Sequence, residues 1–494
     1  MVFKLFKNFC KSLLLMLLVF GFSGNLWAIT PAEEIEIGRG VHMEISQQGA
    51  IFTDPYVNQY FQKVADRVAN AAGKKPYPIH FYIVYANTLN AFAVPGGYIY
   101  FHTETLNSLE NEGQLAAILA HEIAHLTSRH FALRAEKAAT TNILSLAGLI
   151  AGALLLSQGG SNAAALGQAA LLGSAGASMQ AMLANSRADE ADADRKGRIY
   201  MIQAGYNPRD MFGAFKIMNE KSFSISSKIP TYLSSHPDIP SRLASTFSDL
   251  ASFPPAPPDP VYLGIRDRVL AITATVDRAR NLFLLRLKEN PQDASALHGL
   301  GIVFQRNSNF TQAKKYFSEA IALSPKNSEY LSDMGDLLFT SAKFEEALKY
   351  YSQSIQVGDR TPQTYLGQAR TYEILGKNKE ATQAYNAAIK AAGDRYPMAL
   401  EMAGIFFTKN NSPAKGHFYL GQYFFLIGKG KEAEFHFQET LKSQGGQTYQ
   451  KEINSYLELL HPKKDKEPPA PSSDPESNPK DTSPTQKKTT RGRR

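Results

Sequence analysis

The sequence predicts two folded parts in series: a mainly helical α+β domain with a small sheet, then an all-α repeat solenoid. Three observations carry this. Apolar residues recur at helical spacing over Glu33–Gln48, Asp54–Ala72 and Asn111–Arg129. Two short strand-like runs, Ile79–Val84 and Tyr98–Phe101, flank the turn-forming Val94-Pro95-Gly96-Gly97. Beyond Ala294, residue types recur every 34 positions. A chain of 494 residues is also too long for a single core.

The two ends read differently from the middle. Lys4, Lys7 and Lys11 precede an apolar run from Leu13 to Phe22, and Leu26-Trp27-Ala28 ends on a small residue suited to cleavage. Residues 1–28 are therefore expected to be a secretory signal peptide, the alternative being an uncleaved anchor. This segment holds the only cysteine, Cys10, so the remainder has no disulfide framework. Of the net charge of +8, the leader supplies three lysines, and the tail from His461 to Arg494 supplies nine basic against five acidic residues. Only +1 remains on residues 29–460, and nothing there suggests the basic face that nucleic-acid binding requires. The tail, rich in Pro, Ser and Lys, is expected to be solvated and disordered.

Phe253 to Pro260, reading FPPAPPDP, marks a linker. The expected organisation is a leader at 1–28, a first domain at 29–252, a Pro-rich linker with a lead-in helix at 253–275, a repeat domain at 276–460 and a basic tail at 461–494. Within the repeats, Ala313, Ala347 and Ala381 share one position. Gly301, Gly335 and Ala369 share another, with Phe317, Tyr351 and Tyr385 as the bulky counterparts. These are the small and large positions of a tetratricopeptide repeat, in which close-packed helix pairs stack on a shared core. A fourth unit, with Gly421, Ala433 and Phe437, is displaced by an insertion near Arg395–Asn411. Such a solenoid binds partners and performs no chemistry.

The chemistry resides in His121-Glu122-Ile123-Ala124-His125. Two histidines four apart lie on one helix face and can hold a single Zn²⁺, and Glu122 beside them can take a proton from the attacking water. A catalytic zinc needs a third protein ligand. His130 qualifies by proximity, but Ser128 and Phe131 do not supply the Gly and His of the metzincin spacing. Glu190 and Asp194, one helical turn apart, offer a better pair: Glu190 as ligand and Asp194 as the group that orients a ligating imidazole.

Together these residues resemble peptidase family M48. The resemblance rests on Asn90-Ala91-Phe92-Ala93-Val94-Pro95-Gly96-Gly97-Tyr98, then His121–His125 continuing to Arg129-His130, then Glu190 with Ala193-Asp194, and covers roughly residues 30–246. It implies a gluzincin-like zinc metallopeptidase fold with one Zn²⁺ per chain, ligated by His121, His125 and Glu190, with Glu122 as base and Asp194 behind a ligating histidine. It extends to Ser235-His236-Pro237 and Arg242, and implies that His236 approaches the metal, either capping it or stabilising the reacting oxyanion. His102-Thr103-Glu104-Thr105-Leu106 departs from the small Thr-Gly pair of many relatives.

The resemblance further implies hydrolysis of peptide bonds in misfolded or stalled envelope proteins of the Gram-negative periplasm. The repeats would dock clients or the outer-membrane β-barrel assembly machinery. A chaperone or scaffold whose site is normally capped by His236 is the competing reading. Strand Tyr98–Phe101 is expected to present an open edge to an extended substrate. Ile143–Leu156 and the Gly-rich Gly159–Gly176 are expected to form buried helices and a lid over the cleft, with peripheral membrane contact left open.

Overall fold

The computed structural model describes residues 29–137, 186–225, 236–250, 253–254, 259–393 and 395–461. The leader, the apolar run 143–156, the Gly-rich segment 159–176 and the tail beyond His461 lie outside the described residues. Among the described residues no helix is long and apolar enough to cross a membrane.

Two helices open the chain. α1 (Pro31–Gln47) starts on a capping box between Thr30 and Glu33, and α2 (Pro55–Ala71) starts on Asp54, which accepts from the Val57 backbone at 3.0 Å. A three-stranded sheet follows, with β1 (His80–Val84), β2 (Ala91–Val94) and β3 (Tyr98–His102) in the order β1-β3-β2. β3 runs parallel to β1 and antiparallel to β2, so the strand expected to offer an open edge is the central one. The outer strands are β1 and β2, and β2 lacks the alternation that would have marked it in the sequence: Ala91, Phe92 and Val94 are all buried. Gly96 and Gly97 fold β2 back onto β3 with φ of 78° and 94°.

α3 (Thr103–Ser108) leads into α4 (Glu112–Thr127), whose first turn is capped by Asn111 accepting from Gln114 at 2.8 Å. Every side chain of α4 from Gln114 to Leu126 is buried, so this helix is the spine of the first core. Around it stand α5 (His130–Lys137), α6 (Arg187–Gln203), α7 (Arg209–Ile225) and α8 (Ile239–Leu250). α6 lies almost backbone to backbone on α4: a Cβ on Gly197 would come within 3.3 Å of the Ala120 and His121 main chain.

α9 (Pro260–Thr273) follows the Pro-rich stretch and belongs to both halves. Tyr262 and Val269 sit in the first core, and the Tyr262 hydroxyl donates to the Leu106 carbonyl at 2.9 Å, while Ala271 packs in the repeat core. Next come α10 (Val276–Glu289), α11 (Ala294–Arg306), α12 (Phe310–Leu323), α13 (Ser328–Thr340), α14 (Phe344–Gln356), α15 (Pro362–Ile374) and α16 (Asn378–Ala392). In these pairs Gly301 meets the Phe317 ring and Gly335 the Tyr351 ring.

The insertion near Arg395–Asn411 is itself a helix, α17 (Pro397–Lys409), followed by α18 (Pro413–Leu426), α19 (Gly430–Lys442) and α20 (Gln450–Leu460). Gly404 of α17 meets Leu420 of α18, and Gly421 of α18 meets Phe437 of α19. α18 thus closes one pair and opens the next, which accounts for the displaced fourth unit. The far end returns to the first domain, where Arg39 donates to the Leu459 carbonyl and Gln47 to that of Gly428, both at 2.8 Å.

One buried carboxyl sets a pH dependence in the repeats. Asp336 accepts from the Tyr351 hydroxyl at 2.6 Å and from Gln363 at 2.5 Å. Burial, with neighbouring Asp333, raises it from 3.8 to about 6. A raised carboxyl stabilises the fold below its unfolded value and loses that contribution as pH rises through about 6. Asp336→Asn should therefore gain on wild type, by up to about 2 kcal/mol, between pH 4.5 and pH 7.5. Urea unfolding at the two pH values measures it, and an unchanged difference would remove Asp336 as the source.

Candidate metal centre

α4 presents His121, Glu122 and His125 within one turn, and α6, held close by Gly197, brings Glu190 and Asp194 opposite. α6 starts on a capping box between Ser186 and Asp189, which places Glu190 in its first turn. His236, before Pro237 and the left-handed Asp238 (φ 66°), enters from the other side. His121, Glu122, Glu190 and His236 are each no more than 2% exposed.

The His121 and His125 Nε2 atoms are 3.1 Å apart. Glu190 Oε2 lies 3.5 Å from His121 Nε2, and Oε1 lies 3.3 Å from His125 Nε2. His236 Nδ1 lies 3.3 Å from His121 Nε2 and 3.1 Å from Glu190 Oε1. Donors bonded to zinc at ~2.0–2.1 Å in a tetrahedron stand roughly 3.3 Å from one another, and these separations, taken with one or the other Glu190 oxygen, are of that size. The two imidazoles and the carboxylate are also the donor types zinc takes. The structure thus brings together every site residue read from the sequence, with His236 as a fourth donor. His130 is not among them: it lies behind His125, with its Nδ1 2.9 Å from His125 Nδ1.

Electrostatics agree with a cation here. Burial works against a charge on His121, yet Asp194, 2.9 Å from its Nδ1, and Glu190 raise it to about 9. Burial pushes His125 down to about 3, leaving a neutral ligand. Glu190 is held well below the ordinary carboxyl range, His236, His121 and His125 outweighing its burial. A divalent cation among these donors would supply the positive charge that protonated His121 supplies here. Glu122 is pushed up by burial. Its Oε1 is buried without a hydrogen bond among the described residues, 3.5 Å from His236 Nε2.

Arg242 was noted in the sequence without a role. Its guanidinium donates to both Asp194 oxygens at 2.8 and 2.7 Å, reaches Glu190 Oε2 at 2.5 Å and lies over the Phe215 ring. It locks the two α6 carboxylates at fixed orientation. The only signal was its place six residues after His236, which does not reveal where it points. A second cluster, His298, Glu329 and Asp333, has metal-ligand chemistry too. There the Arg268 guanidinium already provides the cation, 3.0 Å from Glu329 and 2.5 Å from Asp333.

The cleft beside the metal donors is lined by Phe92, Ala93 and Val94 of β2 and Pro95 just after it, with Tyr77 and Phe131, and measures about 60 Å³. That is well below the roughly 300–1,000 Å³ of pockets that enclose a drug-sized ligand.

Comparison with known proteins agrees with this architecture. Residues 55–247 match peptidase family M48, and residues 292–360 and 332–397 match tetratricopeptide repeats. The chain is 27% identical over 299 residues to a putative beta-barrel assembly-enhancing protease of Vibrio cholerae, covering 59% of this chain and 61% of the relative. It is 30% identical over 213 residues to the beta-barrel assembly-enhancing protease of Escherichia coli, covering 43% and 42%. With the mitochondrial metalloendopeptidase OMA1 of Schizosaccharomyces pombe it shares 28% over 184 residues, covering 37% and 50%. The chain spans about half the length of the relatives it matches. It carries a peptidase family M48 domain followed by tetratricopeptide repeats.

Proposed function

We propose that the chain is a zinc-dependent endopeptidase that hydrolyses misfolded or stalled envelope proteins in the periplasm, its repeats docking clients or outer-membrane assembly machinery. The observation that carries this is the convergence of His121, His125 and Glu190 at 3.1–3.5 Å from one another with Glu122 beside them. Zinc held there by His121, His125 and Glu190 would supply Lewis acidity and acidify a water towards neutrality. Glu122 would accept that proton on its carboxylate and pass it to the leaving nitrogen. Asp194 holds the His121 ring through Nδ1, and Arg242 holds Asp194 and Glu190. β2 offers its backbone edge to an extended segment, a mode that favours unfolded clients over one sequence.

Support for a docking role lies in a groove of about 370 Å³ between α2 and the repeats. Asn58, Gln59 and Lys63 line one side, and Arg360, Arg395 and Tyr396 the other. The relatives' names, which include assembly-enhancing proteases, support the envelope setting.

The chaperone reading, with the site capped, has one observation in its favour: His236 occupies the fourth donor position, where water must enter. The two readings part on His236→Ala. The purified chain should bind one zinc, lose it on Glu190→Ala, and cleave casein slowly. His236→Ala should raise cleavage about tenfold if the capped state holds nine molecules in ten. A chain without zinc would sink the enzyme reading, and unchanged or lower cleavage would sink the cap.

A further inference from the structure

The chain leaves α4 through a strained turn. Arg129 follows the Ser128 cap with φ 53°, in the left-handed region where glycine is the usual residue. Its guanidinium donates to Glu34 at 2.7 Å, and Glu34 is buried. The reversal starts α5 at His130 and lays that imidazole against the back of His125. A non-glycine residue is held in this conformation only where surrounding contacts determine it.

We propose that His130 is a positioning residue that fixes the tautomer and ring orientation of His125, with Asp192 as its anchor. The inference rests on the zinc reading above and extends it. The argument is one of proton bookkeeping. His125 turns its Nε2 towards Glu190 and His121, so that nitrogen must carry the lone pair if it is to ligate, and the ring proton sits on Nδ1. That Nδ1–H donates to His130 Nδ1 at 2.9 Å, which must then be an acceptor. His130 consequently carries its proton on Nε2, which faces Asp192 Oδ2 at 3.4 Å and Asp189 Oδ1 at 4.0 Å. The reverse polarity, with His130 donating, would put the His125 proton on Nε2 and abolish ligation.

Asp192 is well placed as the anchor. It accepts from the Ser128 hydroxyl at 2.9 Å and pairs with Lys196 at 2.8 Å and Arg195 at 2.6 Å. Ser128 caps α4, so the same residues that end the ligand-bearing helix hold the anchor. The two imidazoles are thus oriented by different means: His121 by Asp194 directly, His125 through His130 from Asp192.

The test is zinc affinity of the full chain, measured by competition with a colorimetric zinc chelator, with no reference to catalysis. His130→Phe keeps the ring and removes both nitrogens, and should weaken zinc binding by roughly 10–100-fold. His130→Asn places a side-chain oxygen near the lost Nδ1 and should stay within about threefold of wild type. Asp192→Ala, at a partly exposed position, should cost about tenfold and carries the test if His130→Phe does not fold. Folded His130→Phe binding zinc as tightly as wild type, or His130→Asn losing as much as His130→Phe, would overturn the inference. Wild type binding no zinc would instead overturn the metallopeptidase reading itself.

Discussion

Glu122→Gln is expected to keep its zinc and lose its peptidase activity. The carboxylate is fully enclosed, close to the Ala93 backbone and 3.5 Å from His236 Nε2, and it does not share the donor cluster of His121, His125, Glu190 and His236. An amide of the same shape preserves that packing but cannot accept a proton. Burial raises the Glu122 carboxyl from its ordinary value, which brings it closer to neutral pH and makes it a better-matched base than an exposed glutamate. Loss of such a base costs about 10²–10⁴ in rate. If the proposed His236 cap slows the wild type, the loss is best read on the His236→Ala background, where the starting rate would be higher. Casein cleavage measured beside zinc content separates the two effects. Equal cleavage with and without the Glu122 carboxylate would remove it as the base, and loss of zinc with activity would make it a structural residue instead.

What could be read in advance depended on whether the geometry was local. His121 and His125 needed only a helix, and apolar Leu115, Ile118, Leu119 and Ile123 around them supplied one. Glu190 and Asp194 needed only the next such turn. The sequence could not reveal which groups close over these turns, because that depends on chain reversals with weak signatures. Arg129 is not a residue one would choose for a left-handed turn, so nothing announced that His130 folds back onto His125. Arg242 reaches Glu190 and Asp194 only because α8 enters after a second left-handed residue, Asp238. β2 was hidden for another reason: a short edge strand buried on both faces shows no alternation. In the repeats the 34-residue period fixed the helix pairs, but the doubled use of α18 became visible only when Gly404 and Gly421 were found facing different helices.

The four donors are held in different ways. Three donors on α4 and α6 are preorganised by Asp194, Arg242 and the His125–His130 contact, whereas the fourth comes from a short stretch before α8. On the capped reading proposed above, water would enter only when His236 leaves while the other three stay, which would keep the site idle until a client reaches the β2 edge.

Arg268→Met should produce the largest loss of stability of any single substitution considered. Arg268 is 4% exposed and sits where the halves meet. It donates from Nε to Asp54 at 2.9 Å and reaches Glu329 and Asp333 through Nη1 at 3.0 and 2.5 Å, while lying over the Tyr56 ring. Asp54 caps α2 of the first domain, and Glu329 and Asp333 belong to α13 of the repeats, so one guanidinium on α9 holds carboxylates from both. Removing it leaves three acidic groups in an enclosed pocket where, among the described residues, His298, 2.8 Å from Asp333, is the remaining basic group in contact with them. Breaking a buried pair in this way costs about 3–5 kcal/mol, on the order of 10 °C in melting temperature for a unit of this size. Arg268→Lys should recover little of it, because a single ammonium cannot reproduce the fork that serves three acids at once. Adding Asp333→Asn to Arg268→Met should restore part of the loss, since fewer charges then lie unpaired. If Arg268→Met melts within about 2 °C of wild type, the guanidinium is not what joins the halves. The contacts of Arg39 and Gln47 with the last repeats would then have to bear that role.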